Sequence, residues 1–309
     1  MLVTGGAGFI GSHIVDALVA RGDEVVVVDD LSKGTAGRVD GARLVTADIR
    51  DGDAVERIMR ETTPRVVFHM AAQADVRVSV ADPARDADVN VLGTIRVADA
   101  ARRAGARVVF ASTGGALYGE TDERPTPESH PAAPEAPYGT AKLCAEEYLR
   151  LFDRLHATRN VVLRLGNVYG PRQDPSGEAG VVSIFAGRVV RGEPPTVFGD
   201  GQQTRDYIYV GDVVRGFLAA ADADRSGVWN IGTGVETSVL GLLDALADHA
   251  GTPPTPVFAP ARAGELQRSC LAVGAARRDL GFAAQVGIRD GAGRVYDWVA
   301  RGEPVRGDA

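Results

Sequence analysis

Short apolar runs alternate with amphipathic segments along the first half of the chain. Valine-rich runs occupy residues 25–28, 66–68, 108–110 and 161–163, and segments with helical periodicity, such as 12–20, separate them. Continuous apolar strands between helices indicate a parallel sheet that is covered on both faces. The pattern therefore predicts an α/β fold of the doubly wound, Rossmann type.

The alternation becomes irregular in the second half of the chain. Residues 173–180 and 192–204 have the composition of loops, and a proline-rich joint spans 252–260. We predict a nucleotide-binding domain over residues 1–165 and a smaller α/β substrate domain over residues 166–309. We also expect the chain to cross between the two domains more than once.

Composition and charge narrow the classes of function. The 309 residues carry a formal net charge of −7 without a block of Lys and Arg, so nucleic acid is not an expected partner. The two cysteines, Cys144 and Cys270, cannot form a disulfide framework or a four-ligand zinc site, so we expect no metal and a reducing compartment. No apolar run approaches the roughly 20 residues of a membrane span, and the chain opens inside its first strand at 1–3. We therefore expect a cytoplasmic protein without a leader or a membrane anchor.

A glycine-rich turn follows the first predicted strand and precedes a helix, in the segment MLVTGGAGFIGSH. Gly5, Gly8 and Gly11 allow a tight turn, backbone approach to a pyrophosphate, and close packing of the helix on the strand. The next strand ends in Asp29, whose carboxylate accepts hydrogen bonds from an adenosine ribose and repels a 2′-phosphate. The pattern predicts a dinucleotide site and favours NAD over NADP.

A tyrosine and a lysine lie four residues apart in YGTAK, which opens a helix after the proline-rich run 131–137. Positions i and i+4 share one face of a helix, so Tyr138 and Lys142 are expected to point into the same site. A nearby ammonium favours the phenolate and lowers the pKa of a phenol from its usual value near 10. A nicotinamide cation acts in the same direction, so Tyr138 is predicted to be a general base that works near neutral pH.

Further motifs extend over nearly the whole chain: HMAAQADV at 69–76, VNVLGT at 89–94, STGGALYGE at 112–120, RLGNVYGPR at 164–172, GDGQQTRDYIYVGDV at 199–213 and ARAGELQRS at 261–269. Together with TGGAGFIGSH, the Asp29 strand end and YGTAK, they make the sequence resemble an extended short-chain dehydrogenase/reductase. The resemblance is strongest to the NAD-dependent nucleotide-sugar epimerase/dehydratase family, especially to its UDP-glucose 4-epimerase-like members.

The resemblance implies how NAD is bound. The pyrophosphate is expected at Gly5, Gly8, Phe9, Ile10 and Gly11. The adenosine ribose is expected near Asp29, Asp30, Leu31, Ser32 and Gly34, and the adenine near Asp48 and Ile49. The other cofactor-lining residues it implies are Met70, Ala71, Ala72 and Gln73, with Asn90 behind them, and Tyr138 and Lys142 at the nicotinamide ribose.

The resemblance also implies a UDP-sugar site. It places Asn167 at the diphosphate-sugar, Thr196 and Phe198 around the uracil, Arg205 and Arg262 at the diphosphate, and Glu265 at a ribose hydroxyl. Two guanidinium groups neutralise a pyrophosphate through charge-assisted, bidentate hydrogen bonds. An acidic protein is therefore expected to bind this anionic substrate.

The catalytic hydroxyl departs from the family pattern. The family usually has a Ser or Thr four positions before the Tyr of the following YG, and Gly114 stands there. We predict that the hydroxyl of Thr113 contacts the substrate in catalysis, and Ser112 is the second choice. The alternative is that Thr113 only caps the end of a strand.

The same loop bears on the type of reaction. Dehydratases of the family have an Asp-Glu pair directly after the threonine, and this chain has Gly114 and Gly115. Without those carboxylates, elimination lacks its acid and base, which favours 4-epimerisation. In the implied mechanism, Tyr138 takes the proton of the sugar 4-hydroxyl and hydride passes to NAD. The 4-keto sugar then rotates, and hydride returns to its opposite face.

The choice of sugar and the class of function leave alternatives open. Asp174 does not favour a uronate, and Ser269 is a small residue at a position that the family uses to restrict N-acetyl groups. We predict UDP-glucose and UDP-galactose, with tolerance of the N-acetylated forms. The alternatives are a UDP-glucuronate 4-epimerase, another nucleotide-sugar oxidoreductase of the family, and a non-catalytic NAD-binding regulator.

The family also implies a homodimer. Its members often dimerise through two helices of each subunit, which are expected here at residues 91–104 and 142–155. Leu149, Phe152 and Leu155 would form an apolar face, although a core helix has the same pattern.

Overall fold

A computed structural model describes residues 1–174, 180–251, 254–262 and 264–302. Parts of the predicted loop at 173–180 and of the joint at 252–260, and the end of the chain, lie outside the described residues. None of the helices within these ranges is long and apolar enough to cross a membrane.

The strands are short, and most of them follow the predicted valine-rich runs. In chain order they are β1 Leu2–Thr4, β2 Val26–Asp29, β3 Arg43–Thr46, β4 Val66–His69, β5 Arg107–Thr113, β6 Val161–Leu165, β7 Asn167–Tyr169, β8 Thr196–Phe198, β9 Thr204–Arg205, β10 Tyr207–Tyr209, β11 Gly227–Ile231, β12 Thr237–Ser238 and β13 Val257–Ala259.

The α-helices separate these strands. They are α1 Phe9–Ala20, α2 Gly52–Thr62, α3 Val76–Ala81, α4 Pro83–Ala87, α5 Thr94–Arg103, α6 Pro137–His156, α7 Val181–Val190, α8 Val210–Asp222, α9 Val239–Ala250, α10 Gly274–Leu280 and α11 Ile288–Ala300. A 3₁₀ turn occupies Ala36–Arg38, and a π-helical segment, Asp88–Gly93, joins α4 to α5.

Seven parallel strands form the central sheet, in the order β11-β6-β5-β4-β1-β2-β3. Successive residues of a strand point to opposite faces, and each face has its own core. Val3 and Phe68 pack with α1, α8 and α10, whereas Leu2 and Val67 pack with α2, α5 and α6. The predicted doubly wound α/β fold is confirmed.

The chain order reverses between β1 and β4, which are neighbours in the sheet. In a doubly wound sheet a crevice opens at this point, outside the carboxyl ends of the strands, and ligands bind there. The fold therefore brings the glycine-rich turn after β1 beside the segment that follows β4.

A third core lies outside the central sheet. It is formed by α7, α9 and α11 together with Tyr169 and Val197. The chain after residue 165 also supplies α8 and β11 to the larger body. The predicted division into residues 1–165 and 166–309 stays a prediction.

Two segments that we predicted as loops contain short strands. β8 lies within 192–204, and β13 lies within the proline-rich joint; the two pair in parallel. Each has three residues, which is too short for its alternation to be visible between glycines and prolines in the sequence.

Candidate active site

The glycine-rich turn has the shape that a pyrophosphate site requires. Gly5 has a φ of +67°, and a Cβ there would lie 2.6 Å from the backbone nitrogen of Ala71. A Cβ on Gly11 would lie 2.1 Å from the Gly5 carbonyl oxygen. Gly8 precedes α1, and no side chain caps its first amides. These amides are therefore available to an anion at the helix N-terminus.

The carboxylate at the end of β2 is held in place by the backbone. Asp29 is buried, and its Oδ2 and Oδ1 accept from the amides of Ala7 and Leu31 at 2.9 Å each. Burial raises the pKa of this carboxyl, and the two amides oppose the shift. A Cβ on Gly34 would lie 2.7 Å from Asp29 Oδ1, so glycine at position 34 leaves room beside the carboxylate. This geometry fits an adenosine ribose.

The remaining residues predicted for the adenosine end have partners within the chain. Asp30 accepts from the amide and the hydroxyl of Ser32. Asp48 forms a bidentate pair with Arg50, which holds the pKa of that carboxyl below its usual range. The side chain of Ile49 is buried in the core, so its backbone is the part that is free to face an adenine.

Residues after β4 are locked to the π-helical segment. The Gln73 amide donates to Asn90 Oδ1 at 3.0 Å, and Asn90 Nδ2 donates to the Gln73 carbonyl at 2.8 Å. Met70 and Ala71 are joined to β1 through hydrogen bonds to Thr4. The strand end that faces the glycine-rich turn is thus rigidly placed, as a cofactor-lining segment requires.

Helix α6 carries both residues of the tyrosine–lysine pair. It begins at Pro137, whose fixed φ suits the first helical position. Lys142 is 3% exposed, donates from Nζ to the Ala111 carbonyl at 2.9 Å, and lies 5.9 Å from the centre of the Tyr138 ring. The Tyr138 amide donates to Ser79 Oγ at 3.2 Å. The structure therefore brings the pair to the end of β5, as the i and i+4 spacing predicts.

Burial shifts the pKa values of the pair in opposite directions. Burial lowers the pKa of Lys142 to about 8, while Asp86 and Glu146 act to raise it. Partial burial raises the pKa of Tyr138, and Asp86 raises it further. In the chain alone, burial and Asp86 raise the pKa of this phenol; the expected lowering by the ammonium together with a nicotinamide cation stays a prediction.

The two adjacent hydroxyls at the end of β5 have different surroundings. Ser112 is 3% exposed, and its Oγ donates to Glu146 Oε1 at 2.5 Å. Thr113 is half-buried, and its Oγ1 accepts from the Ala116 amide at 3.1 Å. A hydroxyl in such a bond still has a proton to donate. The hydroxyl of Ser112 is therefore occupied by a buried hydrogen bond, whereas Thr113 lies at the open end of the strand.

The glycine pair after Thr113 is packed against other segments. A Cβ on Gly114 would lie 2.6 Å from a methyl group of Leu271, and a Cβ on Gly115 would lie 3.1 Å from Asn167 Oδ1. The amides of both glycines donate to the Leu165 carbonyl. Larger side chains at these two positions would have to displace Leu271 and Asn167.

The residues predicted for the nucleotide part form two contacts. The Arg262 guanidinium lies 4.0 Å from the centre of the Phe198 ring, and Arg205 Nη2 lies 3.4 Å from Glu265 Oε1. Thr196 is on the same short strand as Phe198. Arg205 and Arg262 therefore lie on a surface with an aromatic ring and a carboxylate, which suits a nucleoside diphosphate.

One acidic residue ties this surface to the catalytic strand. Glu120 accepts from the amides of Gln267 and Arg268, at 2.8 and 3.3 Å. Glu120 ends the segment that begins with Ser112 and Thr113, and Gln267 follows Glu265 by two residues. The two parts of the predicted substrate site are therefore in direct contact.

A buried polar network lies beneath the end of β5, and sequence reasoning did not find it. Arg164 and Glu146 form an ion pair at 2.7 Å with side-chain exposures of 4% and 0%. Arg164 also donates to Tyr118 Oη at 2.9 Å, and that hydroxyl donates to Asn230 Oδ1 at 2.8 Å. A signal existed, because an arginine inside the apolar strand VVLRL requires a buried acidic partner.

The described residues contain no cluster of three or more His, Cys, Asp or Glu side chains that could hold a metal ion. His69 is fully buried between the hydroxyls of Thr4 and Thr94, and burial lowers its pKa to about 3. This histidine is therefore neutral at physiological pH.

The chain matches known proteins over most of its length. The model of the NAD dependent epimerase/dehydratase family matches residues 1–232. The UDP-glucose 4-epimerase of Mycolicibacterium smegmatis is 46% identical over 96% of this chain and 97% of its own length.

Solved structures give the same result. The UDP-glucose 4-epimerase of Thermotoga maritima with UDP-glucose is 44% identical, with a TM-score of 0.95 over 97% of this chain and 98% of the other. The UDP-glucose 4-epimerase of Thermus thermophilus in complex with NAD is 45% identical, with a TM-score of 0.92 and the same coverage.

The buried ion pair generates a prediction about stability. The substitution Glu146→Gln leaves the Arg164 guanidinium buried without a counter-charge, so we expect a loss of about 3–5 kcal/mol in the free energy of unfolding. Denaturant unfolding followed by circular dichroism measures this loss. Glu147→Gln is the matched control, because Glu147 is the next residue and is exposed; it should change stability by less than about 0.5 kcal/mol. Equal effects of the two substitutions would contradict the assignment.

Proposed function

We propose that this chain, which belongs to the NAD dependent epimerase/dehydratase family, is an NAD-dependent 4-epimerase that interconverts UDP-glucose and UDP-galactose. The observation that supports the proposal is that Lys142 donates to the Ala111 carbonyl at 2.9 Å and lies 5.9 Å from the centre of the Tyr138 ring. Ala111 belongs to β5, the strand that ends at Thr113. The relatives at 44–46% identity that carry the name UDP-glucose 4-epimerase also support the proposal.

The cofactor site that we propose consists of the glycine-rich turn, the end of β2 and the segment after β4. The amides at the start of α1 would hold the pyrophosphate, Asp29 would accept from the adenosine ribose, and Gln73 and Asn90 would support the nicotinamide side. NAD held there would supply the acceptor and donor of the hydride at the sugar C4, and its ring charge would favour the Tyr138 phenolate.

Tyr138 is proposed as the base that removes the proton of the sugar 4-hydroxyl, and as the acid that returns it. The chain alone holds this phenol protonated, because burial and Asp86 raise its pKa. Lys142 would oppose them with its positive charge and would contact the ribose of the cofactor. Thr113 would donate to or accept from the sugar O4 and so align it with the phenol oxygen.

The nucleotide end of the substrate would stay fixed while the sugar turns. We propose that Arg205 and Arg262 hold the diphosphate, that Thr196 and Phe198 flank the uracil, and that Glu265 accepts from a ribose hydroxyl. Asn167 would reach the sugar side of the diphosphate. With these contacts kept, rotation about the diphosphate link presents the other face of the 4-keto sugar.

The glycine pair favours epimerisation over elimination. Loss of water from the sugar needs an acid and a base near C5 and C6, and Gly114 and Gly115 provide neither. Leu271 and Asn167 fill the space in which such side chains would lie. The site therefore ends its reaction at the 4-position.

The direct test is incubation of the purified protein with UDP-glucose, without added NAD. We expect UDP-galactose to accumulate to equilibrium, which chromatography of the nucleotide sugars measures. UDP-N-acetylglucosamine and UDP-glucuronate are run in parallel to define the sugar that is preferred. The variant Tyr138→Phe should keep its NAD and form no product. If no UDP-sugar is epimerised, with or without added NAD, the proposed function is refuted.

A second prediction separates the two hydroxyls. Thr113→Val removes the hydroxyl that faces the site, so kcat should fall by about 100-fold, while the amount of bound NAD stays the same. Thr113→Ser retains the hydroxyl and should recover most of the rate. Ser112→Ala removes one donor to the buried Glu146 carboxylate, which keeps its bonds to Arg164. It should cost about 1–3 kcal/mol of stability, with kcat within a few-fold of wild type. Steady-state kinetics and denaturant unfolding measure the two effects, and the reverse pattern would assign the catalytic role to Ser112.

We also propose a homodimer. Leu92, Tyr148 and Leu155 are 47%, 41% and 63% exposed on the π-helical segment and on α6. Leu149, which we expected on the same apolar face, is 1% exposed and lies in the core.

We also propose that the protein lies in the cytoplasm, which suits the reduced state that we expect for Cys144 and Cys270. Cell fractionation tests that location.

Light scattering of the purified protein should give twice the mass of the 32.4 kDa chain. Leu155→Asp places a charge on the proposed dimer surface and should shift the mass toward the monomer. Val235→Asp is the control, because Val235 is 60% exposed in a loop outside these helices. A monomeric wild-type protein, or dissociation by the control alone, would contradict this surface.

A further inference from the structure

Asp206 is a buried carboxylate that the proposed mechanism does not use. It lies between β9 and β10 and is 1% exposed. Its Oδ1 accepts from the amide and the hydroxyl of Thr233, at 2.8 and 2.7 Å, and its Oδ2 accepts from the amides of Gly234 and Leu271, at 3.0 and 3.2 Å. Burial raises the pKa of this carboxyl, and the hydrogen bonds oppose the shift because they favour the ionised form. One side chain therefore joins three segments that are far apart in the chain.

The main chain of Asp206 holds a fourth segment. The Asn167 amide donates to the Asp206 carbonyl at 2.7 Å, and β7 and β10 then pair in parallel, with Asn167 opposite Tyr207. A Cβ on Gly166 would lie 2.8 Å from the Asp206 carbonyl oxygen, so glycine at position 166 permits this approach. Asn167 is therefore fixed relative to Asp206 by a hydrogen bond and by close packing.

Both side chains that lie against the glycine pair belong to residues bonded to Asp206. Leu271, beside the first glycine, donates to the carboxylate, and Asn167, beside the second, donates to the carbonyl. The glycine pair directly follows Thr113. The location of Asp206 therefore determines how these two neighbours of the loop are placed beside the proposed catalytic hydroxyl.

The residue before Asp206 is Arg205, which we propose as a contact of the diphosphate. The backbone of Arg205 pairs with Thr237 of β12, and its guanidinium lies 3.4 Å from Glu265. Bidentate hydrogen bonds from a guanidinium depend on its orientation. Fastening Asp206 therefore also fixes the point from which Arg205 extends.

We propose that Asp206 is a positioning residue for the nucleotide sugar. It fixes Arg205 and Asn167, the proposed diphosphate contacts, relative to each other. Through Leu271 it also fixes them relative to the loop that follows Thr113. The inference rests on the proposed function, which supplies the roles of these contacts and of the hydroxyl.

A positioning role and a purely structural role predict different results. If the carboxylate only stabilised the fold, its loss would lower the fraction of folded protein, and the folded molecules would bind and react as before. If it positions the substrate contacts, the folded molecules themselves should bind UDP more weakly and react more slowly. The affinity of folded protein for UDP therefore separates the two roles.

The substitution Asp206→Asn removes the charge at almost constant volume. An amide has one oxygen that accepts, so two of the four donors would face an amino group in place of an oxygen. Asp212→Asn is the matched control. Asp212 is also buried, accepts from the backbone amides of Gln285 and Val286 at 3.1 and 3.0 Å, and pairs with Arg215. None of its partners is a predicted substrate contact.

The measurement is calorimetric titration of UDP into the NAD-loaded protein, at a temperature at which denaturation curves show every variant to be folded. The Kd for UDP should rise about tenfold in Asp206→Asn and should stay at the wild-type value in Asp212→Asn. The amount of bound NAD should be the same in both variants. An unchanged Kd in Asp206→Asn, or an equal rise in the control, overturns the proposal.

A milder pair of variants provides the test if Asp206→Asn does not fold. Thr233→Val removes one donor to Oδ1 and keeps the charge, whereas Thr233→Ser retains the hydroxyl. The Kd for UDP should rise about threefold in Thr233→Val and should not change in Thr233→Ser. Equal Kd values for the two variants would then overturn the proposal.

Steady-state kinetics with UDP-glucose add a second readout. In Asp206→Asn, KM should rise and kcat should fall, so that kcat/KM drops by about 100-fold, whereas a purely structural role would lower the apparent kcat and leave KM unchanged. If wild type binds UDP but epimerises no UDP-sugar, the proposed function fails, and the UDP titration still decides the role of Asp206. If wild type binds no UDP, both proposals are overturned.

Discussion

The buried ion pair between Glu146 and Arg164 is the interaction on which the catalytic end of the sheet depends. It joins α6 to β6, and Glu146 also accepts a hydrogen bond from the hydroxyl of Ser112 on β5. Four residues earlier on α6, Lys142 donates to the carbonyl of Ala111, also on β5. Helix and strand are therefore fastened at two successive points, and this fixes Tyr138 and Thr113 relative to each other. A buried pair contributes little net stability when compared with apolar packing, but its geometry is demanding. The pair therefore matters here because its geometry fixes α6 relative to β5 and β6.

Burial has opposite consequences for the two members of the tyrosine–lysine pair, because it disfavours whichever form is charged. It moves the pKa of Lys142 downward and that of Tyr138 upward, so the pair by itself tends toward two neutral groups. Asp86 and Glu146 restore the ammonium. The phenolate must then be favoured by positive charge that arrives with the cofactor. In the proposed reaction, the basicity of Tyr138 would therefore be linked to cofactor binding.

Local features of the fold and of the site could be predicted from the sequence, whereas contacts between residues far apart in the chain could not. The strands, the glycine-rich turn and the tyrosine–lysine spacing are local features, and periodicity or spacing shows them directly. The network of Ser112, Glu146, Arg164, Tyr118 and Asn230 joins residues that are far apart in the chain, so only the isolated arginine in VVLRL indicated that it existed. Asp86 lies on a helix of five residues without a motif, and nothing local indicates its burial. The direction in which the pKa of Tyr138 moves in the chain alone depends on its own burial and on Asp86, and the spacing of the two motif residues shows neither.

The choice between Ser112 and Thr113 shows most clearly what the sequence alone does not predict. Successive residues of a strand face opposite sides, so the sequence implies that one of the two hydroxyls points inward, but not which one. Glu146 accepts a hydrogen bond from the Ser112 hydroxyl, and this favours Thr113 as the hydroxyl that is open to the proposed site. Packing favours the two glycines that follow, since Leu271 and Asn167 lie close to the positions that a Cβ would take on Gly114 and Gly115. In the proposed function, this loop therefore matters through the carboxylates that it lacks as well as through the hydroxyl of Thr113. A carboxylate introduced at either position would first have to move a residue of the predicted substrate segment, and for this reason the glycine pair and that segment form a single structural unit.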